Sequence, residues 1–179
     1  MKGVIFTEFL EMVEDKFDYE MVDQIIADAK DPNDGAFTSV NSYDHTQLVS
    51  LVKALHKRSG IPLHDLMKTY GEFLFGSLAR KYPNLIARVT DSFEKLLKIE
   101  VLIHTEVRKL YSQSNLVRFT GIRLDGKMIK LIYNSHRSMG DIVEGLILGC
   151  GAHFGEKFKV EQLSEQNKGQ RVKFEIERI

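Results

Sequence analysis

The sequence predicts an α+β fold: a helical N-terminal part, then a part built on an antiparallel sheet. Three observations carry this. Apolar residues recur at helical spacing through the first two thirds of the chain. Beyond that the pattern alternates with period two, and Asp125-Gly126 separates the first two alternating stretches. A 3.6-residue period buries one stripe of a helix, whereas a two-residue period buries one face of a strand.

Taken in order, Val4, Ile5, Leu10, Val13 and Phe17 space the first helix. "YEMVDQIIADAK" forms a second, ended by the turn-rich "DPNDG". "SYDHTQLVSLVKALHKRSG" forms a third, stopped by Gly60. The fourth has Pro62 in its first turn and stops before Pro83. A fifth runs from Ser92 to Tyr111, with Thr90 or Asp91 as its N-cap. "LVRFTGIRL" and "KMIKLIYNS" then flank Asp125-Gly126 as a hairpin with a two-residue turn. A helix, "MGDIVEGLILGCGAHFG", precedes two closing strands, "KFKVEQL" and "RVKFEIERI", so four antiparallel strands are expected.

Composition narrows the function. The 179 residues suit one domain, or one domain with a small lobe, and can bury a core without disulfides. Lys plus Arg and Asp plus Glu both number 25, so charge gives no reason to expect nucleic acid or an anionic membrane. The single cysteine, Cys150, excludes an internal disulfide and any zinc site needing two cysteines. A reducing cytoplasm is the expectation. The N-terminal segment is broken by Glu8, Glu11, Glu14 and Asp15, unlike a signal peptide, and no membrane-length apolar run is present. No G-x-S-x-G, H-E-x-x-H, Walker loop or dinucleotide fingerprint occurs.

Two features carry chemistry. In "LIYNSHRSM", Tyr133, Ser135 and Arg137 stand at every second position, so an extended strand puts them in one polar row. Two hydroxyls and a guanidinium fork suit carboxylate or phosphate oxygens, although a polar strand end with one salt bridge explains the same residues. The second feature is His104. It lies on the apolar stripe of Phe93, Leu96, Leu97, Ile103, Val107 and Leu110. On spacing alone, a hydrogen-bonded core histidine is favoured over a metal ligand. No second histidine or cysteine stands nearby at chelating spacing. A lone histidine ligand suits a metal that brings its other ligands, and haem iron is the obvious case. Without C-x-x-C-H, such a haem would be held non-covalently. Haem carries two propionates, so the histidine and the anion row explain each other.

These residues resemble the haem nitric-oxide/oxygen-binding family, the H-NOX domains, bacterial relatives of the haem domain of soluble guanylate cyclase. The family's Y-x-S-x-R motif stands as Tyr133, Ser135 and Arg137, and its histidine motif as "HTEVRKLY" from His104. The resemblance covers essentially the whole chain. It implies a single haem sensor domain over 1–179, with a helical lobe of about residues 1–60, a haem-binding α+β part of about 61–179, and the haem between them. It implies haem b, His104 as proximal iron ligand, and Tyr133, Ser135 and Arg137 on the propionates. Ser112 and Val117 replace prolines that many members carry, which implies a flatter macrocycle.

The resemblance also assigns a distal pocket of Phe9, Leu74 and Ile142, with Ile142 where oxygen-binding members place a tyrosine. With no donor there, the expectation is a ferrous protein that binds nitric oxide and carbon monoxide but not oxygen. It implies that nitric oxide breaks the iron–His104 bond, with Gly71, Gly140 and Gly145 as packing residues or pivots. The chain is taken up by the sensor, so output is expected from a separate partner. That partner is a histidine kinase, or a diguanylate cyclase or phosphodiesterase. The expectation is therefore a sensor rather than an enzyme; the competing readings are a haem enzyme consuming nitric oxide or peroxide, and a haem-free module for small carboxylates.

Overall fold

Short polar caps and left-handed stops fix the helices. In the computed structural model, which describes residues 1–86, 89, 91–98, 117–166 and 169–179, α1 spans Gly3–Lys16, α2 Tyr19–Ala29 and α3 His45–Ser59. Asp18 and Asp44 cap α2 and α3 by accepting the N–H groups of Met21 and Thr46, at 2.7 and 2.8 Å. Lys30 closes α2 at φ 50°, and Gly60 closes α3 at φ 73°. Between α2 and α3, Asp31 folds the turn by accepting from the N–H groups of Asn33 and Gly35. Helix α4 covers Leu63–Lys81 and α5 Pro83–Ile86.

The chain divides into two compact units, Met1–Tyr70 and Gly71–Ile179, and the division falls within α4. In the first unit the buried face of α1 consists of Phe6, Phe9, Met12 and Val13 together with Gly3 and Glu8. This corrects the stripe expected from sequence. Val4, Ile5, Leu10 and Phe17 are half-buried, and only Val13 of that set is buried. The aromatic rings decide the face: Phe6 stacks on Phe37 at 4.6 Å between centroids and meets Tyr43 edge-on.

In the second unit, α6 (Ser92–Leu97) starts at Asp91, whose carboxylate accepts the Glu94 N–H at 3.1 Å. The remainder of the helix expected to Tyr111 lies outside the described residues. Strands β1 (Arg118–Arg123), β2 (Met128–Asn134), β3 (Phe158–Gln166) and β4 (Arg171–Arg178) form one antiparallel sheet in the order β1-β2-β4-β3. Helix α7 (Gly140–His153) connects β2 to β3. One sheet face is apolar in register: Phe119, Tyr133 and Val172 align across β1, β2 and β4, as do Gly121, Leu131 and Phe174. These residues, apart from Gly121, share a core with Phe93, Leu96, Val143 and Ile147. At Gly121 a Cβ would come within 2.7 Å of Leu97 Cδ2 and 3.0 Å of the Lys130 carbonyl oxygen, so a side chain there would require Leu97 to shift where α6 crosses the sheet.

The β1–β2 connection also departs from expectation. It runs through residues 124–127 rather than through Asp125-Gly126 alone, and Gly126 does not adopt a positive φ. The Asp125 carboxylate instead accepts the Lys127 N–H at 2.7 Å, which builds a longer turn.

Candidate functional site

Strand β2 delivers the anion row only in part. Its alternation holds through Ile129, Leu131 and Tyr133, all buried on the core face. It then ends at Asn134, and residues 136–137 form a turn. Tyr133, Ser135 and Arg137 therefore do not share one strand face, which corrects the row expected from sequence. Hydrogen bonds local to the loop explain the break. The Ser135 N–H donates to the Gln170 carbonyl at 2.8 Å. The Arg137 N–H donates to Ser135 Oγ at 3.2 Å, and Ser138 sits at φ 53°. The chain turns where the extended pattern would have continued.

The turn nonetheless gathers a donor set. Tyr133 is 1% exposed, its ring 5.7 Å from that of Phe119 and its hydroxyl accepting the Met139 N–H at 3.2 Å. Ser135 Oγ likewise serves as acceptor, for Arg137. With each oxygen already taking a backbone N–H, the hydroxyl hydrogens are left for donation. Among the described residues neither hydroxyl donates to an acceptor within the loop. Arg137 is half-buried. Burial lowers its pKa from the ordinary guanidinium value, against the opposing pull of Tyr133. Two hydroxyl donors and a partly desolvated guanidinium fit a carboxylate by charge and by hydrogen-bond polarity.

His104 lies outside the described residues, as does Ser112. Val117 is half-buried and packs on the core of the second unit. The three residues expected on the distal side are all buried and carry no polar side-chain atom. Phe9, on α1, is 0% exposed; Leu74, on α4, is 2%; Ile142, on the first turn of α7, is 6%. Phe9 meets the Tyr70 ring edge-on at 5.3 Å. The Tyr70 hydroxyl donates to the Ile5 carbonyl, so its hydrogen is committed within its own unit. Burial, with the charge of Glu8, pushes the Tyr70 pKa well above 10.0 and keeps the phenol protonated.

Two participants escaped the sequence reading: Tyr70 beside Phe9, and the Met139 N–H beneath Tyr133. The first lay on a helix whose face was not predicted, and the second is a backbone group without a side-chain signature. A helix starting soon after the motif was the available signal for the second.

An α+β chain with a loop carrying two hydroxyls and a guanidinium between a strand and a helix is the class these features define. A family model described as Haem-NO-binding matches residues 2–162. The chain belongs to this family, the H-NOX domains, which are haem-binding gas sensors. The Fe(II) unliganded H-NOX protein from K. algicida is similar, with 36% identity and a TM-score of 0.92 over 100% of this chain and 97% of that one. An H-NOX protein from S. oneidensis in the Fe(II)NO ligation state has 29% identity and a TM-score of 0.92, over 100% and 99%. The I5F mutant of T. Tengcongensis H-NOX, at 19% identity, shares the fold with a TM-score of 0.87 over 99% and 97%. No curated protein sequence matches. Among the described residues, no helix is long and apolar enough to cross a membrane.

Proposed function

We propose that this chain is a haem-based nitric oxide sensor that binds nitric oxide and carbon monoxide in preference to oxygen and signals to a separate protein. The observation that carries the reading is the donor set at the end of β2. Tyr133 and Ser135 each keep a hydroxyl hydrogen for an outside acceptor, and Arg137 supplies the charge. In this reading the three hold the two propionates of a non-covalent haem b, and His104 is the axial ligand. Haem, when bound, supplies a ferrous iron that takes a diatomic gas on its distal side.

The chain's own residues set the selectivity. Phe9, Leu74 and Ile142 are each buried within their own unit and carry no hydrogen-bond donor in the side chain, and Tyr70 has given its hydrogen to Ile5. Oxygen on ferrous haem gains from a donor because it carries partial negative charge; nitric oxide needs far less help. The S. oneidensis protein in its Fe(II)NO state supports a nitric oxide reading by likeness. His104, as the residue that would hold the iron, would link gas binding to the polypeptide. The receiving partner is a histidine kinase, or a diguanylate cyclase or phosphodiesterase, in the cytoplasm.

Haem titration of the wild type and Arg137→Ala tests the reading. Wild type takes one haem per chain, and the variant binds about tenfold or more weakly, on the scale of a lost charge-assisted pair. Equal affinity would remove the clamp from the account.

A further inference from the structure

The residues proposed to hold the propionates also build the loop that leads into α7. Ser135 Oγ accepts the Arg137 N–H, and Tyr133 Oη accepts the Met139 N–H, both at 3.2 Å. Met139 is the N-cap residue of α7, and its side chain makes no capping hydrogen bond. The Met139 carbonyl accepts the Val143 N–H at 3.3 Å and so opens the helix. A buried hydroxyl from the neighbouring strand thus fixes the residue from which α7 starts. Three residues further on is Ile142, and its carbonyl lies where a Cβ on Gly71 would be 2.2 Å away. This end of α7 packs closely against α4 at Gly71.

From these contacts we infer that Tyr133 is a positioning residue for α7, and that carboxylate occupancy of its hydroxyl is relayed to the start of that helix. The inference rests on the haem reading, since it takes a propionate as the carboxylate. A hydroxyl that donates to an anion becomes a stronger acceptor, because linked hydrogen bonds polarise one another. The chain of donors runs from the Met139 N–H to Tyr133 Oη, and from the Tyr133 O–H to the carboxylate. Occupancy strengthens the Met139 bond and stiffens the turn that starts α7. Ser135 does the same for Arg137, one step earlier in the loop. The site therefore has two functions in one set of atoms: it holds the anion, and it sets the beginning of the helix that carries Ile142.

The test uses the ¹⁵N-labelled full chain as its ferrous carbon monoxide complex, loaded either with haem or with haem dimethyl ester, which has no carboxylates. In wild type, the Met139 amide proton resonates further downfield with haem than with the ester and exchanges about twofold more slowly. In Tyr133→Phe loaded with haem, it exchanges about tenfold faster than in wild type and no longer distinguishes the two cofactors. Ser135→Ala, at a half-exposed position, gives a second readout: Arg137 loses its sensitivity to the ester while Met139 keeps it. Met139 resonances indifferent to the ester in wild type, or equally sensitive in Tyr133→Phe, overturn the relay alone. Failure of the wild type to bind haem overturns the haem reading, and the relay with it.

Discussion

A methyl group on Gly71 would lie 2.2 Å from the carbonyl oxygen of Ile142 and 2.8 Å from the Cα of Gly145. The obstacle is backbone rather than the end of a flexible side chain, so α4 and α7 can meet here only through glycine. Gly71→Ala should destabilise the protein by about 1–3 kcal/mol, the usual cost of overpacking. At this chain length that is a fall in Tm of about 2–4 °C per kcal/mol, measured by thermal unfolding. An unchanged Tm would mean that the helices separate freely, which is the behaviour of a pivot rather than a packing contact.

Asp91 ties the start of α6 to two strands, pairing with Arg123 of β1 and Arg178 of β4. The Arg178 guanidinium also lies over the Phe93 ring, 3.9 Å from its centroid, and its Nε stands 2.7 Å from Glu156. Burial raises the Asp91 pKa, but hydrogen bonds from Arg178, Arg123 and the Glu94 N–H outweigh it, so the net value lies below 3.8. A carboxylate with a depressed folded pKa contributes stability above its unfolded pKa and loses it as pH falls through the folded value. Wild type should therefore exceed Asp91→Asn in Tm near neutrality, and the gap should close below about pH 4. A gap constant across the acid range would show that the ion pairs contribute nothing.

Cys150 is buried in the core of the second unit, and burial pushes its thiol up to about 12. The thiolate is the reactive species, so the native protein should resist a disulfide reagent at pH 8 and react fully once unfolded. Rapid native labelling would show that the core around α7 opens often.

Ile142→Tyr places a phenol on the first turn of α7, where the wild type has no donor. The variant should form a measurable oxygen complex that the wild type lacks, read by gas titration of the reduced protein. No gain of oxygen affinity would contradict either the position of Ile142 or the donor account of selectivity.

Much of this architecture was legible because local signals and burial agreed. Asp91 caps α6 and Gly60 ends α3 as read, and Val172, Phe174 and Ile176 are buried in alternation. The failures share one cause, which is a contact that spacing does not encode. The face of α1 is chosen by Phe37 and Tyr43, more than 20 residues away in sequence. The β1–β2 connection is longer than expected because Asp125 holds Lys127. The period-two pattern continued on paper through Arg137, but β2 stops at Asn134 because Ser135 and Tyr133 fold the loop onto their own hydroxyls. The types of the candidate anion-binding residues were readable in the sequence; their arrangement around a turn was not.

The most direct measurement of the central claim is the absorption spectrum of the reduced protein, made with ample haem, taken without air, then in air, then with nitric oxide. The account predicts a single Soret band that air leaves in place and nitric oxide moves to a five-coordinate position. A protein with no Soret band would contradict it, returning Tyr133, Ser135 and Arg137 to the status of a clamp for some other anion.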